Sequence, residues 1–481
     1  MGDVASSVKF SRIYGLEDQN RFAILSGDYN PMHIDQVAAR RMLVGEPVVH
    51  GVHLLLCGLE AIAQLWWREK KCMKITSLKA SFPKPALVGD EVSFEVSASG
   101  EGAHKVQAII GVDCVLEAEI VAYNASTDSG NVLKPAGDVC TQAVRLVIED
   151  IESAEGAMPI WCDCELVNAM FPACLGVFGE MVMADLLAMT RLVGMYCPGL
   201  QSVFNKIDLK FHSRMQNWVL NYRVFDFDKR FFHIRMDVVG DRFKGVLSCF
   251  YRPEAAEQET TENLKNKIGN ECFKNQVALI IGGTRGLGEV TAKIIAAGGG
   301  HPIITYYQGH DDALRVANDI LSSGHKCDIV YLNVADASKE IARIFSGENS
   351  PNSIYYFATP KIFVRRREFF NRDLFFKFND YYVRYFSAIL DASLGACSHN
   401  IKVFYPSSVA IDENVRDLFE YALAKKNSEE VCNFYNTLSD RVSIITHRLP
   451  RIRTDQTATI IPYPSEEPFD VMFDIIKKMS V

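Results

Sequence analysis

A pattern that occurs twice in the first half of the chain constrains its fold most. Gly51 opens a long apolar segment, residues 52–67, and Phe82 follows that glycine by 31 positions at the end of ITSLKASF. Gly179 opens a second apolar segment, and Phe211 follows it by 32 positions at the end of FNKIDLKF. Strand-like runs accompany each copy, at 75–82, 91–97 and 105–122 in the first and at 219–225, 232–239 and 243–251 in the second. One long buried helix against antiparallel strands is an α+β arrangement, and its recurrence predicts two repeats packed as a pseudo-dimer.

From Asn275 onward the texture changes. VALIIGG, HPIITYY, KCDIVYLNV, SIYYFAT, KVFYPSS and VSIITHRL are six apolar runs separated by helical segments, the pattern of a doubly wound parallel sheet. A chain of 481 residues exceeds what one hydrophobic core organises. Polar stretches at 123–138 and 253–270 read as the linkers between the resulting three units.

Charge and cysteine usage exclude several classes of function. With 51 Lys+Arg against 59 Asp+Glu the formal charge is −8, the wrong sign for gripping a phosphate backbone or an anionic bilayer, so neither nucleic acid nor membrane is expected as a partner. The 13 cysteines lack paired Cys-x-x-Cys spacing, which predicts reduced thiols, no metal centre and a cytoplasmic setting. No apolar stretch reaches the length of a membrane span and residues 1–9 carry no signal-like core, so a soluble, non-exported protein is expected.

Two constellations carry chemistry. In FAILSGDYNPMH, Asp28 and His33 stand five residues apart across a proline, where a bend can aim an acid and an imidazole at one water. SGDYNPMHID followed by PVVHG resembles the MaoC-like (R)-specific enoyl-thioester hydratases, whose hot-dog fold wraps a sheet around one long helix. The resemblance implies that Asp28 and His33 are the acid/base pair and that Asn30 holds the loop or the catalytic water. It also implies that the Gly51 N–H polarises the thioester carbonyl, a role suited to a helix N-terminus. His50 and His53 read as packing residues. The second repeat has no such motif, which assigns it the role of shaping an acyl tunnel.

In VALIIGGTRGLGEV, Gly282, Gly283, Gly286 and Gly288 lie after a strand and at the opening of a helix, where bare backbone can approach a pyrophosphate. Downstream, Ser408 precedes Tyr421 by 13 residues, and Lys425 follows that tyrosine by one helical turn. A Lys ammonium at that distance would lower the phenol's pKa, letting Tyr421 protonate a carbonyl oxygen that Ser408 also binds.

This set resembles the short-chain dehydrogenases/reductases. The likeness implies an adenine contact at Asn333, a proton relay through Asn379, a carboxamide contact at Thr454 and a ribose contact at Lys425. No acid ends the second strand, and Arg285 resembles the arginine that meets a 2′-phosphate, so NADPH is expected rather than NAD. The family's strand end is replaced by YYFATP and its Pro-Gly turn by Pro450-Arg451, which leaves open a nucleotide-binding module without activity. The basic run at 364–372 reads as a solvated helix face.

The expected architecture is multidomain: an α+β double hot-dog followed by an α/β Rossmann unit with a doubly wound parallel sheet. Residues 1–125 form a hot-dog hydratase/dehydratase domain, 140–255 a second hot-dog repeat without chemistry, and 273–481 a reductase-like domain. The expected substrates are acyl-CoA or acyl-carrier-protein thioesters, and the expected assembly is a homodimer.

Overall fold

The computed structural model describes residues 7–42, 45–100, 102–125, 141–212, 218–252, 257–269, 271–362, 370–413, 416–455 and 464–480. Most of the 123–138 linker, part of the 253–270 linker and most of the basic run at 364–372 lie outside the described residues. The chain divides into two compact units, residues 1–254 and residues 255–458 with 463–481.

The first unit is built on a ten-stranded sheet in the order β1-β3-β4-β5-β2-β7-β10-β9-β8-β6. Its first half holds β1 (Val8–Ile13), β2 (Met73–Ser81), β3 (Glu91–Gly100), β4 (Ala103–Ile110) and β5 (Asp113–Asn124). Its second half holds β6 (Glu155–Pro159), β7 (Ser202–Phe211), β8 (Val219–Asp228), β9 (His233–Val239) and β10 (Phe243–Tyr251). Numbered within each half, the strand order 1-3-4-5-2 occurs twice, and the halves meet where β2 pairs antiparallel with β7.

That seam shows why the register is fixed. Leu78 faces Leu209 and Ala80 faces Ile207, all four buried, whereas the intervening Lys79 and Asp208 face solvent as an ion pair. A slip of one residue would exchange the two sets. The run at 105–122 is not one strand as the sequence suggested: it turns back at Gly111, whose φ of 62° suits glycine, to give β4 and β5.

The Gly51–Arg68 helix crosses the first half, buried on most of its circumference. Gly58 permits the approach, since a Cβ there would lie 2.4 Å from Val106 Cγ1. The second apolar segment is not one long helix opened by Gly179. It forms helices Pro172–Phe178 and Glu180–Arg191, bent by 119° at Gly179, followed by a π-helical turn, Leu192–Tyr196. No single described helix is long and apolar enough to cross a membrane.

Within this core Asp185 is held by Arg242 through Nε (3.0 Å) and Nη2 (2.5 Å), and the same guanidinium donates to the Met181 carbonyl and lies over the Trp218 ring.

The second unit has six parallel strands in the order β13-β12-β11-β14-β15-β16. These are β11 (Val277–Ile281), β12 (His301–Tyr306), β13 (Asp328–Tyr331), β14 (Ser353–Tyr356), β15 (Ile401–Ser408) and β16 (Val442–Leu449), one for each apolar run. In an open parallel sheet, ligands bind beyond the carboxyl ends of the strands. Gly282 follows β11 and Ser408 ends β15, so both stand at that edge.

Breaking the Asp185–Arg242 pair strands a buried charge, so Arg242→Met should cost the first unit about 3–5 kcal/mol, whereas Asp185→Leu with Arg242→Met should cost clearly less. Urea unfolding of the three proteins checks this, and equal losses in single and double variants would contradict it.

Candidate active sites

The first site begins at a helix end. The Leu16–Ser26 helix stops at Gly27, whose φ of 72° closes it with an N–H bond to the Ala23 carbonyl. The chain then turns through Asp28 to Asn30, whose side-chain oxygen accepts the Met32 N–H and starts the Pro31–Ile34 helix. Its Nδ2 donates to the carbonyls of Gly194 (3.1 Å) and Gly199 (3.2 Å). Asn30 thus ties the loop to the second half of the unit.

Asp28 is 1% exposed. Its Oδ1 accepts the Asn30 N–H (3.2 Å) and its Oδ2 accepts the Thr190 hydroxyl (2.6 Å). His33 Nδ1 lies 2.7 Å from the Val48 carbonyl, which can only accept, so this nitrogen carries the proton and Nε2 is left with a lone pair. The His33 ring stacks on His50 with centroids 3.7 Å apart. Polar atoms of Asp28, His33 and His50 all lie within 4.8 Å of one another.

Burial raises the Asp28 carboxyl above its usual range, opposed by His33, the Thr190 hydroxyl, the Asn30 N–H and Arg191. Burial pushes the His33 imidazole down, opposed by the Asp28 charge and by Val48. A neutral imidazole beside a buried carboxylate is an arrangement that can take up and return one proton.

Gly51 is the first residue of its helix, so its N–H is among those the helix cannot pair internally. His50 is more than packing. Its Nε2 is 3.1 Å from the Asp28 carbonyl and its Nδ1 is 3.0 Å from Gln19 Oε1, so it fixes the backbone on which the acid sits. His53 lies deeper, stacked on Phe22.

Sequence reasoning missed Thr190, Arg191 and Gly194, about 160 positions from the motif they touch. The available signal was faint: a Thr-Arg pair inside the otherwise apolar LLAMTRLVGM.

In the second unit, Gly282 (φ 83°) turns the chain at the end of β11, and a Cβ on Gly288 would lie 2.2 Å from the Gly282 carbonyl oxygen. A Cβ on Gly283 would lie 2.8 Å from Ile304 Cβ. Gly286 (φ 53°) opens the Gly286–Ala297 helix with Thr454 and Asp455 alongside. This tight bare turn before a twelve-residue helix fits a pyrophosphate.

Arg285, expected at a 2′-phosphate, pairs its Nη1 with Asp455 Oδ2 at 2.7 Å. Asn333 uses its side-chain oxygen to cap the short turn Val334–Asp336.

Ser408 and Tyr421 stand close enough for the serine hydroxyl to act on the tyrosine. Lys425 behaves differently. Its Nζ donates to the Pro406 carbonyl (2.6 Å) and lies 4.0 Å from the Tyr382 ring, 4.7 Å from Tyr405 and 6.0 Å from Tyr421. Enclosed by aromatic rings, its ammonium is pushed down to about 7 by burial. Tyr421 stands above its usual range, also through burial, with Ser408 opposing. The lowering of Tyr421 by Lys425 read from the sequence is therefore reversed: desolvation dominates both groups.

Asn379 ends the Arg372–Asn379 helix, accepts from Asn427 (3.3 Å) and precedes a π-helical turn, Asp380–Arg384. The hydroxyls of Tyr356 and Tyr405 donate to the carbonyls of Tyr381 and Tyr382 in that turn.

Residues 5–118 match the MaoC like domain. The (R)-specific enoyl-CoA hydratase of Aeromonas caviae is 32% identical over 97 residues, 20% of this chain and 71% of the relative. Among solved structures, the chain is similar to a putative short chain dehydrogenase from Pseudomonas syringae, at 19% identity with 44% of this chain and 92% of that chain covered (TM-score 0.40). It is similar also to the landomycin C-6 ketoreductase LanV with bound NADP and rabelomycin, at 18% identity with 44% and 91% covered (TM-score 0.39). An identity of this size across most of the hydratase, together with the match over residues 5–118, means that the chain belongs to the MaoC-like family.

Proposed function

We propose that this protein is a bifunctional acyl-thioester enzyme. Its first unit, read as a double hot-dog, interconverts a (3R)-hydroxyacyl thioester with the trans-2-enoyl thioester. Its second, read as a Rossmann-type reductase, makes that (3R)-hydroxyacyl compound from the 3-oxoacyl thioester with NADPH. The substrate is carried on CoA or an acyl-carrier protein, and the enzyme acts as a cytoplasmic homodimer. The observation that carries the reading is the buried Asp28–His33 pair beside the N-terminus of the Gly51–Arg68 helix.

Hydration needs a proton removed from water as its oxygen bonds to C3, and a proton supplied to C2. A water held between Asp28 and His33 Nε2 meets the first requirement, and the pair returns the proton for the second. The Gly51 N–H supports the enolate oxygen that develops on the thioester. The second half contributes Thr190 and the wall of the acyl site.

In the reductase unit, Gly282, Gly283, Gly286 and Gly288 would seat the pyrophosphate of NADPH, with Asn333 toward the adenine and Thr454 toward the carboxamide. NADPH, when bound, supplies the hydride. Ser408 orients the carbonyl, Tyr421 hands it a proton, and Lys425 with Asn379 restores that proton. Arg285 is the group proposed for the 2′-phosphate, which requires it to exchange Asp455 for the ligand.

One observation favours a second reading, in which this unit binds nucleotide without turning over: the Lys425 ammonium is pushed down to about 7 and directed at Pro406. NADPH fluorescence titration separates the two, since binding without turnover of any short 3-oxoacyl thioester would support the second.

Separable defects follow. Tyr421→Phe should lower NADPH oxidation with acetoacetyl thioester by at least about 100-fold and leave crotonyl thioester hydration intact, while Asp28→Asn should do the reverse. Both reactions surviving both substitutions would refute the assignment.

Lys425 also sets a pH dependence. Its folded pKa of about 7 is below that of an unfolded lysine, so between those values the unfolded chain binds the extra proton and stability rises with pH. The second unit should gain roughly 1 kcal/mol per pH unit from pH 7 to 8.5, and Lys425→Met should remove the gain. Denaturant midpoints across that range are the check.

A further inference from the structure

We propose that the second half of the first unit supplies the positioning residues of the catalytic acid: Thr190 and Arg191 hold Asp28 as an oriented carboxylate, and Gly194 makes the room for it. The inference rests on Asp28 acting in hydration as described above, and it reaches residues that neither the motif nor the family match contains.

Three independent features converge on Asp28 from one turn of chain. The Thr190 hydroxyl has a single proton, and the 2.6 Å contact gives it to Asp28 Oδ2. This bond favours the ionised carboxylate and selects one of its rotations.

Arg191, 2% exposed, donates through Nε to the Ser26 carbonyl (2.7 Å), and through its two terminal nitrogens to Pro159 and Trp161 (3.2 Å each). Its guanidinium lies 3.6 Å from the Trp161 ring centroid. None of these bonds goes to a carboxylate, and the Arg191 charge acts on Asp28 through space. Arg191 lies outside the motif, yet it fixes the carbonyl two positions before the acid.

At Gly194 a Cβ would lie 2.1 Å from Asp28 Oδ1 and 2.5 Å from its carboxyl carbon. Only a bare backbone can stand there. The π-helical turn Leu192–Tyr196 brings that glycine inward, and its carbonyl accepts Asn30 Nδ2. Met195 Sδ accepts the Tyr29 N–H from the same turn (3.2 Å).

The charged and titratable groups around Asp28 are therefore His33 from the Pro31–Ile34 helix, His50 before the Gly51–Arg68 helix and Arg191 from the Glu180–Arg191 helix. Burial depresses both imidazoles and lowers Arg191 to about 9, so Arg191 remains a cation at neutral pH. A hydroxyl donated to a carboxylate and a nearby cation both keep a buried acid ionised.

The test is Thr190→Val, which keeps the shape and removes the donor, with Thr190→Ser as the conservative control. Crotonyl-CoA hydration is measured against pH, and the Asp28 carboxyl is titrated by infrared difference spectroscopy, its band assigned by its loss in Asp28→Asn. For Thr190→Val the acid limb of kcat/KM and the infrared titration should both move up by about one pH unit, with kcat reduced about tenfold or more and KM little changed. Thr190→Ser should restore both.

A folded Thr190→Val protein with an unmoved titration overturns the proposal. Should the wild-type protein hydrate no enoyl thioester while the infrared titration still moves, the positioning stands and the hydratase reading fails. Arg191→Met gives the same shift if it folds. If it does not fold, the Thr190 pair decides alone.

Discussion

The first unit depends on the pairing of β2 with β7. That one antiparallel ladder turns two five-stranded halves into a single ten-stranded sheet, and it brings the helical layers of both halves over a common core. The seam has no tolerance for register error, because its buried rungs Leu78–Leu209 and Ala80–Ile207 alternate with solvent-facing charged residues. Asp28 then meets Thr190 only because the halves are locked in this register. The chemistry is held by contacts spanning about 160 residues of sequence, and the ladder fixes all of them at once.

Desolvation is the theme common to both sites. Asp28, His33, Tyr421 and Lys425 are all displaced toward their neutral forms with burial as the leading cause. For the carboxyl and the imidazole, burial draws the two proton affinities toward one another, and neighbouring dipoles and charges oppose that convergence. In the second unit the aromatic enclosure of Lys425 offers π-faces and one carbonyl, and burial prevails over the opposing Glu429 charge.

The strands of the second unit were legible because each parallel strand is buried on both faces and reads as an unbroken apolar run. The repeat in the first unit was legible through its helix openings, Gly51 and Gly179, and through Phe82 and Phe211. Edge strands β1 and β6 were not: short and half exposed, they carry little apolar signal. The 105–122 run hid a hairpin because Gly111-Val112 is a two-residue reversal inside continuous β-favouring sequence. Asp28 and His33 share a loop and declare themselves as a motif. Thr190, Arg191 and Gly194 act through space, so no local pattern marks them. Lys425 was placed correctly by helical spacing, but its charge state depends on Tyr382 and Tyr405, which spacing cannot report.

The covalent link between the halves carries a consequence of symmetry. In a dimer of identical subunits, an isologous interface makes every substitution twice, so any residue tuned to serve as a partner must also be acceptable as its own counterpart. Here the positions diverge independently. The bend at Gly179 and the π-helical turn that follows exist only in the second half, where the first half keeps an unbroken helix from Gly51 to Arg68. Tandem duplication thus permits an asymmetric division of labour that no homodimer of a single repeat could encode.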